Sequence, residues 1–183
     1  MKTNRQPLRL AFVFLPVLVS ILVANSSAFA QGRYVDTADY LQAAFPGNPP
    51  STGMLWVTNE LRRSAESSLG FGIDSLRVRY WHRDSRSAWV LDEIGKERPI
   101  TIGIVVEDNV ATMVRVLEFR ESRGWEVRYP FFTDQFDDVS LDSKDRLDRS
   151  VDSITGATMS VDAVTRAVRL ALFLSRYAGD VNS

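Results

Sequence analysis

Two pairs of neighbouring segments in the middle of the chain alternate between hydrophobic and polar residues. Residues 75–82 and 87–91 form the first pair, and a polar tetrapeptide separates them. Residues 101–106 and 111–119 form the second pair, and the acidic and amide residues 107–109 between them favour a tight turn. Because alternation with a period of two is typical of strands with one buried face, each pair predicts a β-hairpin. Together the two pairs predict a small antiparallel sheet.

Hydrophobic residues at helical spacing precede the predicted sheet. Residues 37–45 predict a short helix, and the proline-rich residues 46–50 that follow predict a loop. Residues 55–69 predict a second helix, which ends at Gly70. After the sheet, residues 133–152 are polar and acid-rich, which predicts a long surface loop with at most one turn of helix.

A last helix is predicted from the apolar spacing near the C-terminus. Either Thr158 or Ser160 can cap it, with Asp162 in its first turn, and it should run to about Tyr177 with Gly179 as a stop. Its apolar positions should pack on the sheet. With no internal repeat or second core, the pattern predicts a single α+β domain, in which a small antiparallel sheet is packed by helices.

The first thirty residues have the pattern of a secretory signal peptide. Their basic start is followed by an apolar run over residues 10–24 and by the small-residue site Ala28-Phe29-Ala30. We therefore expect residues 1–30 to be removed, so that residues 31–183 form an extracytoplasmic, periplasmic domain. The alternative is an uncleaved anchor, but the apolar run is shorter than the roughly 20 residues that cross a bilayer.

Composition removes several classes of function. The chain contains no cysteine and one histidine, His82, which disfavours disulfides, thiolate or histidine metal sites and a histidine-based triad. Removing the signal removes only basic charges, so the remaining chain is mildly acidic. A nucleic-acid partner is therefore not expected, because phosphate backbones are bound by clustered basic residues.

The chemically informative part of the chain is the motif segment, residues 152–158, which lies between the acid-rich loop and the last helix. Gly156 and Ala157 give it an uncrowded backbone, and Thr155 and Thr158 provide hydroxyl groups. A loop of this kind at a helix N-terminus favours a phosphate, because free N–H groups and the positive end of the helix dipole meet there. The alternative reading is that the hydroxyls merely cap the helix.

The motif segment resembles the flavinylation motif of the FMN-binding domain family, which occurs in the C subunit of the sodium-pumping NADH:quinone reductase and the G subunit of the Rnf complex. Asp152, Thr155, Gly156 and Ala157 match the motif. The resemblance implies that a flavin transferase joins FMN through its phosphate to the hydroxyl of Thr158. It also gives Asp152 a possible role in attachment, although a turn acid is an equal alternative.

A weaker resemblance extends back through the predicted sheet. Residues 95–100 are similar to the family's glycine-containing entry to its first core strand, and residues 121–124 are similar to an acid-hydroxyl-x-glycine turn that lies near the flavin. Glu121 is accordingly expected to bind the cofactor, and Lys96 and Arg123 are weaker candidates for its polar edge. Residues 31–89 have no counterpart in the resemblance.

Three functions remain open from the sequence. The resemblance favours an exported flavoprotein that relays electrons between membrane-bound or extracytoplasmic redox partners, with FMN as its redox group and no catalytic side chain assigned. A second reading is an extracytoplasmic reductase of a small acceptor, with residues 31–89 as a substrate wall. The third is a module that binds an anion at the motif segment without redox chemistry. Whether the chain is itself an enzyme is left undecided between the first two.

Overall fold

A computed structural model describes residues 32–181, and the predicted signal peptide lies outside these residues. The sheet has six antiparallel strands in the order β1-β6-β5-β4-β3-β2. The strands are β1 (Gly32–Arg33), β2 (Thr52–Trp56), β3 (Arg77–Arg83), β4 (Arg86–Ile94), β5 (Pro99–Glu107) and β6 (Val110–Phe119). The helices are α1 (Thr37–Ala44), α2 (Asn59–Leu69), the single turn α3 (Pro130–Thr133) and α4 (Thr158–Val181). The predicted α+β fold with a C-terminal helix is confirmed.

Both predicted hairpins form. β3 pairs with β4 and β5 pairs with β6, each in antiparallel register. Left-handed backbone at Asp84 closes the first hairpin, and Asp108 and Asn109, with φ of 50° and 65°, close the second. Asp and Asn adopt this conformation more readily than other residues with a side chain, so the turns follow from the local sequence.

The predicted helix over residues 55–69 is wrong in its first part. Residues Thr52–Trp56 form β2, an edge strand paired with β3, and α2 begins only at Asn59. The boundary is set by Thr58, whose side chain accepts a hydrogen bond from the N–H of Leu61 at 3.1 Å. This is the usual N-cap arrangement, which ends the extended segment and starts the helix. The predicted end at Gly70 is confirmed, with φ of 78°.

The core has two parts, one on each face of the sheet. Helices α2 and α4 pack on one face, where Ile102 and Ile104 of β5 are fully buried. Helix α1 covers part of the other face and packs on Val105 of the same strand. The ring of Tyr40 of α1 packs against Gly103, where a Cβ atom would lie 2.7 Å from it. The inward-facing residues of α4, all buried, include those predicted to pack on the sheet: Val161, Val164, Val168, Ala171 and Leu172.

The ends of α4 differ from the prediction. The N–H groups of Ser160 and Val161 both donate to the carbonyl of Ala157, so Ala157 occupies the cap position and neither Thr158 nor Ser160 caps the helix. Asp162 consequently lies beyond the first turn. Gly179 does not stop the helix, which continues to Val181. A single glycine costs a helix only about 1 kcal/mol, so the helix can continue through it.

The acid-rich segment is largely irregular, as predicted, but it is tied to the domain. A short 3₁₀ turn, Asp134–Phe136, follows α3, and Val139 pairs with Ala111 of β6 in an isolated bridge. Asp145 forms an ion pair with Arg176 of α4 at 3.1 Å. Between residues 32 and 181, no helix is long and apolar enough to cross a membrane.

Candidate functional site

A cleft of about 580 Å³ opens at the N-terminus of α4. Three segments line it: the turn that follows β4, the segment that follows β6, and the end of the motif segment with the first turn of α4. Its residues are Lys96, Glu97, Glu121, Ser122, Arg123, Gly156, Ala157, Thr158, Met159 and Ser160. We call this the attachment cleft. Its volume lies within the range of about 300–1,000 Å³ that is usual for ligand pockets.

The motif segment enters the cleft through a tight turn. The N–H of Ala157 donates to the carbonyl of Ile154 at 2.9 Å, and Ile154 packs against the core. Gly156 has φ of 82° and open space where a Cβ would lie. Glycine adopts this left-handed conformation without strain. The turn leaves Ala157 buried and Thr158 exposed, so the Thr158 side chain is accessible in the cleft.

The N-terminus of α4 favours an anion beside Thr158. Thr158 is the first residue of α4, where backbone N–H groups have no partner within the helix and the helix dipole is positive. The side chains of the lining are balanced in charge, with Lys96 and Arg123 on one side of the balance and Glu97 and Glu121 on the other. A phosphate ester at Thr158 would therefore be favoured mainly by the N-terminus of α4.

Close packing fixes the segment after β6 against the start of α4. Gly124 has φ of 82°, and a Cβ atom there would lie 2.5 Å from the Ser160 hydroxyl oxygen and 3.3 Å from the Cβ of Ala157. Glycine is therefore needed at position 124 for both its conformation and its size. The contact positions Ser122 and Arg123 on one side of the cleft.

The carboxylate of Glu121 is bound by the backbone of the opposite wall. Its Oε1 accepts hydrogen bonds from the N–H groups of Glu97 at 2.6 Å and Arg98 at 2.9 Å. Glu121 is only 8% exposed. Burial raises the pKa of Glu121, but the backbone N–H groups of Arg98, Glu97 and Lys96 together outweigh that effect and lower it.

The structure brings together four of the six predicted binding residues. Gly156, Ala157, Thr158 and Glu121 line the attachment cleft, together with the weaker candidates Lys96 and Arg123.

The other two predicted residues lie outside the lining. Asp152 is exposed, and its N–H donates to the side-chain oxygen of Gln135 at 2.7 Å. Thr155 is exposed in the turn before Gly156. Sequence reasoning missed Glu97, Ser122, Met159 and Ser160 as lining residues. For Met159 and Ser160, the signal was their place in the first turn of the helix that follows the motif segment.

A second cleft, of about 660 Å³, lies against β3 and β4, and we call it the strand cleft. Its walls include the connection between α2 and β3, the end of β4, and Arg166 of α4. Glu93 and Arg166 form an ion pair at 3.1 Å, and the Glu93 side chain is 18% exposed. Burial raises the pKa of Glu93 although the hydrogen bond and charge of Arg166 lower it, and Asp74 adds a smaller raising effect.

The two clefts adjoin each other along the chain, since Ile94 lines the strand cleft and Lys96 the attachment cleft. In the part of the chain that the structure describes, no cluster of three or more histidine, cysteine or acidic side chains is suited to a metal ion.

Comparison with known families identifies one match. Residues 95–172 match the family model of the FMN-binding domain. The matched range contains both hairpin strands β5 and β6, the motif segment and most of α4. It therefore includes every residue that lines the attachment cleft. Neither the curated proteins nor the solved structures contain a match.

Proposed function

We propose that this chain, of which residues 95–172 match the FMN-binding domain family, is an exported flavoprotein with FMN esterified through its phosphate to Thr158. The family match makes the chain a flavin-binding protein with FMN as its cofactor. The covalent link, the export and the electron relay are the parts that we propose.

The position of Thr158 carries the proposal of a covalent link. Its side chain is exposed, it lines the attachment cleft, and it is the first residue of α4. Thr155, the other hydroxyl of the motif segment that matches the family, does not line the cleft. Ser160 lines the cleft but is buried, with its hydroxyl oxygen against Gly124. Ser122 also lines the cleft and is exposed, but it lies outside the motif segment. Thr158 is therefore the hydroxyl of the motif segment that is accessible in the cleft to a flavin transferase.

The lining residues have distinct parts in holding the cofactor. The N–H groups at the start of α4, with Lys96 and Arg123, would neutralise the phosphate. The turn after β4 and the segment after β6 would flank the rest of the molecule, with the exposed Met159 as an apolar contact. FMN supplies the ability to take up electrons in pairs and to release them singly.

Electron relay is the function that best fits these residues. The lining contains no histidine or cysteine that could provide acid–base or thiol chemistry for a substrate. The predicted signal peptide and the covalent link fit a setting outside the cytoplasmic membrane, where a tethered cofactor cannot be lost. The expected partners are the flavin transferase during maturation and a membrane-bound redox protein during function.

Intact mass measurement of the protein from its exporting host tests the link. We expect the mature chain, beginning at Gln31, to carry one FMN phosphoester, and Thr158→Ala to abolish it. Thr155→Ala is the matched control, since it removes a hydroxyl three residues away and should keep the flavin. Flavin that survives Thr158→Ala and disappears in Thr155→Ala would refute the assignment, and a retained Met1 would refute signal cleavage.

The strand cleft favours one alternative, a reductase of a small acceptor. Part of its wall, from Phe71 to Arg79, lies in the region that the family match does not include, and Ile94 of its wall is two residues from Lys96 of the attachment cleft. Stopped-flow reduction separates the two functions. The relay predicts fast exchange with membranes of the host and slow reduction of small acceptors, whereas fast turnover of a small acceptor by the isolated protein would establish the reductase.

A further inference from the structure

The turn that follows β4 forms a backbone cradle for the carboxylate of Glu121. The N–H of Gly95 donates to the carbonyl of Arg98 at 3.1 Å, which closes the turn. The next two donors, the N–H groups of Glu97 and Arg98, converge on Oε1 of Glu121. Successive N–H groups that converge in this way make an anion-binding concavity, and here the anion comes from the protein itself.

Gly95 permits this arrangement. A Cβ atom at position 95 would lie 2.9 Å from Oε1 of Glu121, 3.2 Å from Cδ1 of Ile100 and 3.3 Å from Cγ of Glu121. Any larger residue would push the turn and the carboxylate apart. The lowered pKa of Glu121 means that the carboxylate is ionised at neutral pH and can accept both hydrogen bonds at full strength.

The cradle joins two walls of the attachment cleft. Lys96 and Glu97, on the turn, line one wall, while Ser122 and Arg123, directly after Glu121, line another. The strands β4 and β6 that carry these segments are not neighbours, because β5 lies between them. The hydrogen bonds of one carboxylate therefore fix the spacing of the two walls at the mouth of the cleft.

We propose that Glu121 is a positioning residue, which holds the Gly95–Arg98 turn as the wall that confines the flavin ring. The inference rests on the proposed function, since it assumes that FMN is attached in this cleft. It assigns to Glu121 an action through the turn, whereas the sequence predicted that Glu121 binds the cofactor itself. Removing the carboxylate should loosen the wall and free the ring while the phosphoester stays intact.

The first measurement is amide hydrogen exchange of the flavin-loaded protein. In Glu121→Ala, we expect the amides of Glu97 and Arg98 to exchange at least about tenfold faster, because hydrogen bonds to a charged group are lost. Glu121→Gln keeps an acceptor oxygen and should be intermediate. Glu126→Ala is the matched control, since Glu126 is a nearby acid outside the cleft lining. Unchanged exchange in Glu121→Ala would overturn the proposal.

The second measurement is the mobility of the ring, read from the emission anisotropy of the attached flavin and its quenching by iodide. Glu121→Ala should lower the anisotropy and increase quenching, Glu121→Gln should do so less, and Glu126→Ala should match the wild type. If Glu121→Ala does not fold, Glu121→Gln carries the test. Faster amide exchange with unchanged ring mobility would overturn the proposal, because the cradle would then be structural only.

Intact mass, measured on every sample, distinguishes a failure of the proposed function from a failure of the positioning role of Glu121. Wild-type protein from the exporting host without attached FMN would refute the proposed function. Attached FMN in all variants, with ring mobility independent of Glu121, would refute only the positioning role.

Discussion

The attachment cleft and the strand cleft each contain one largely buried glutamate, and the pKa values of the two carboxyls shift in opposite directions. Burial raises the pKa in both cases. For Glu121, three backbone N–H groups outweigh burial and the pKa falls below its ordinary value. For Glu93, the single partner Arg166 does not outweigh burial and the pKa stays above its ordinary value.

The difference shows how the two clefts are built. Backbone donors have no side-chain rotamers to order, so little side-chain entropy is lost on the donor side when they bind the carboxylate. Arg166 must order a long side chain, and it also donates to the carbonyl of Ile94 at 2.8 Å. The attachment cleft thus depends on glycines and turn geometry, whereas the strand cleft depends on side chains that pair with one another.

The largest loss of stability is expected for a substitution of Gly124, which belongs to the packing around the attachment cleft. Gly124→Ala should lower the free energy of unfolding by about 2–4 kcal/mol, since the left-handed conformation costs an alanine about 1–2 kcal/mol and the contact with Ser160 adds overpacking. Gly156→Ala is the matched control, because Gly156 has the same φ but open space around it. It should lose only about 1–2 kcal/mol. Chemical denaturation of all variants measures the difference.

The double variant Gly124→Ala/Ser160→Ala tests whether the contact with Ser160 causes the extra loss of stability. It removes the hydroxyl oxygen that a Cβ at position 124 would meet at 2.5 Å. The double variant should therefore recover part of the loss. Equal losses in Gly124→Ala and Gly156→Ala, or no recovery in the double variant, would show that packing against α4 does not matter here.

The next largest loss of stability is expected for a substitution in the strand cleft, and this loss depends on pH. Arg166→Met keeps most of the side-chain stem but leaves Glu93 without its cation, which should cost about 2 kcal/mol near neutral pH. Because the pKa of Glu93 is raised in the folded state, the burial of its charged form lowers the free energy of unfolding. This loss is absent below the pKa of the unfolded state and develops as the pH rises through the pKa of the folded state.

Denaturation of Arg166→Met near neutral pH and near pH 4, about the ordinary pKa of glutamate, measures this dependence. The loss should be smaller at the acidic pH, where Glu93 is protonated. Adding Glu93→Gln should remove most of the pH dependence. A loss that is independent of pH would mean that Arg166 acts through packing and Ile94 alone.

A smaller loss of stability is expected for a substitution of Glu121, whose pKa shifts in the opposite direction to that of Glu93. Because its folded pKa is lowered, the carboxylate contributes stability above the unfolded pKa and loses it as the pH falls through the folded value. Glu121→Gln should therefore cost about 1 kcal/mol near neutral pH, since neutral hydrogen bonds replace charge-assisted ones. The cost should vanish in acid, where both side chains are neutral. A cost that grows in acid would contradict the cradle.

The contrast between the clefts also explains what the sequence could predict. The left-handed backbone of the β5–β6 turn lies at Asp108 and Asn109, residues that favour it, so the hairpin could be predicted locally. The family was predicted from residues 152–158, because a short segment contains most of the constrained positions. β2 could not be predicted in this way, since Thr52–Trp56 is extended only because it pairs with β3, and its apolar residues also fit a helix.

Within the site, the non-local contacts were the ones missed. Nothing in the sequence near Glu121 shows that its carboxylate is bound by Glu97 and Arg98, which precede it by more than twenty residues. The start of α4 was misassigned for a related reason. Hydroxyl residues suggested the cap, but the turn at Gly156 places Ala157 there.

The smallest change in stability is expected for a substitution of the Glu97 side chain. This substitution tests whether the turn binds Glu121 through its backbone N–H groups alone. Its carboxylate is 70% exposed and its nearest cation, Lys96 Nζ, is 3.8 Å away. An exposed pair of this kind contributes little, so Glu97→Gln should change the free energy of unfolding by less than about 0.5 kcal/mol. The N–H of residue 97 remains, and with it the hydrogen bond to Glu121. Denaturation alongside Glu121→Gln measures both, and a loss at Glu97 as large as that at Glu121 would mean that side-chain charge, rather than the backbone turn, holds the wall.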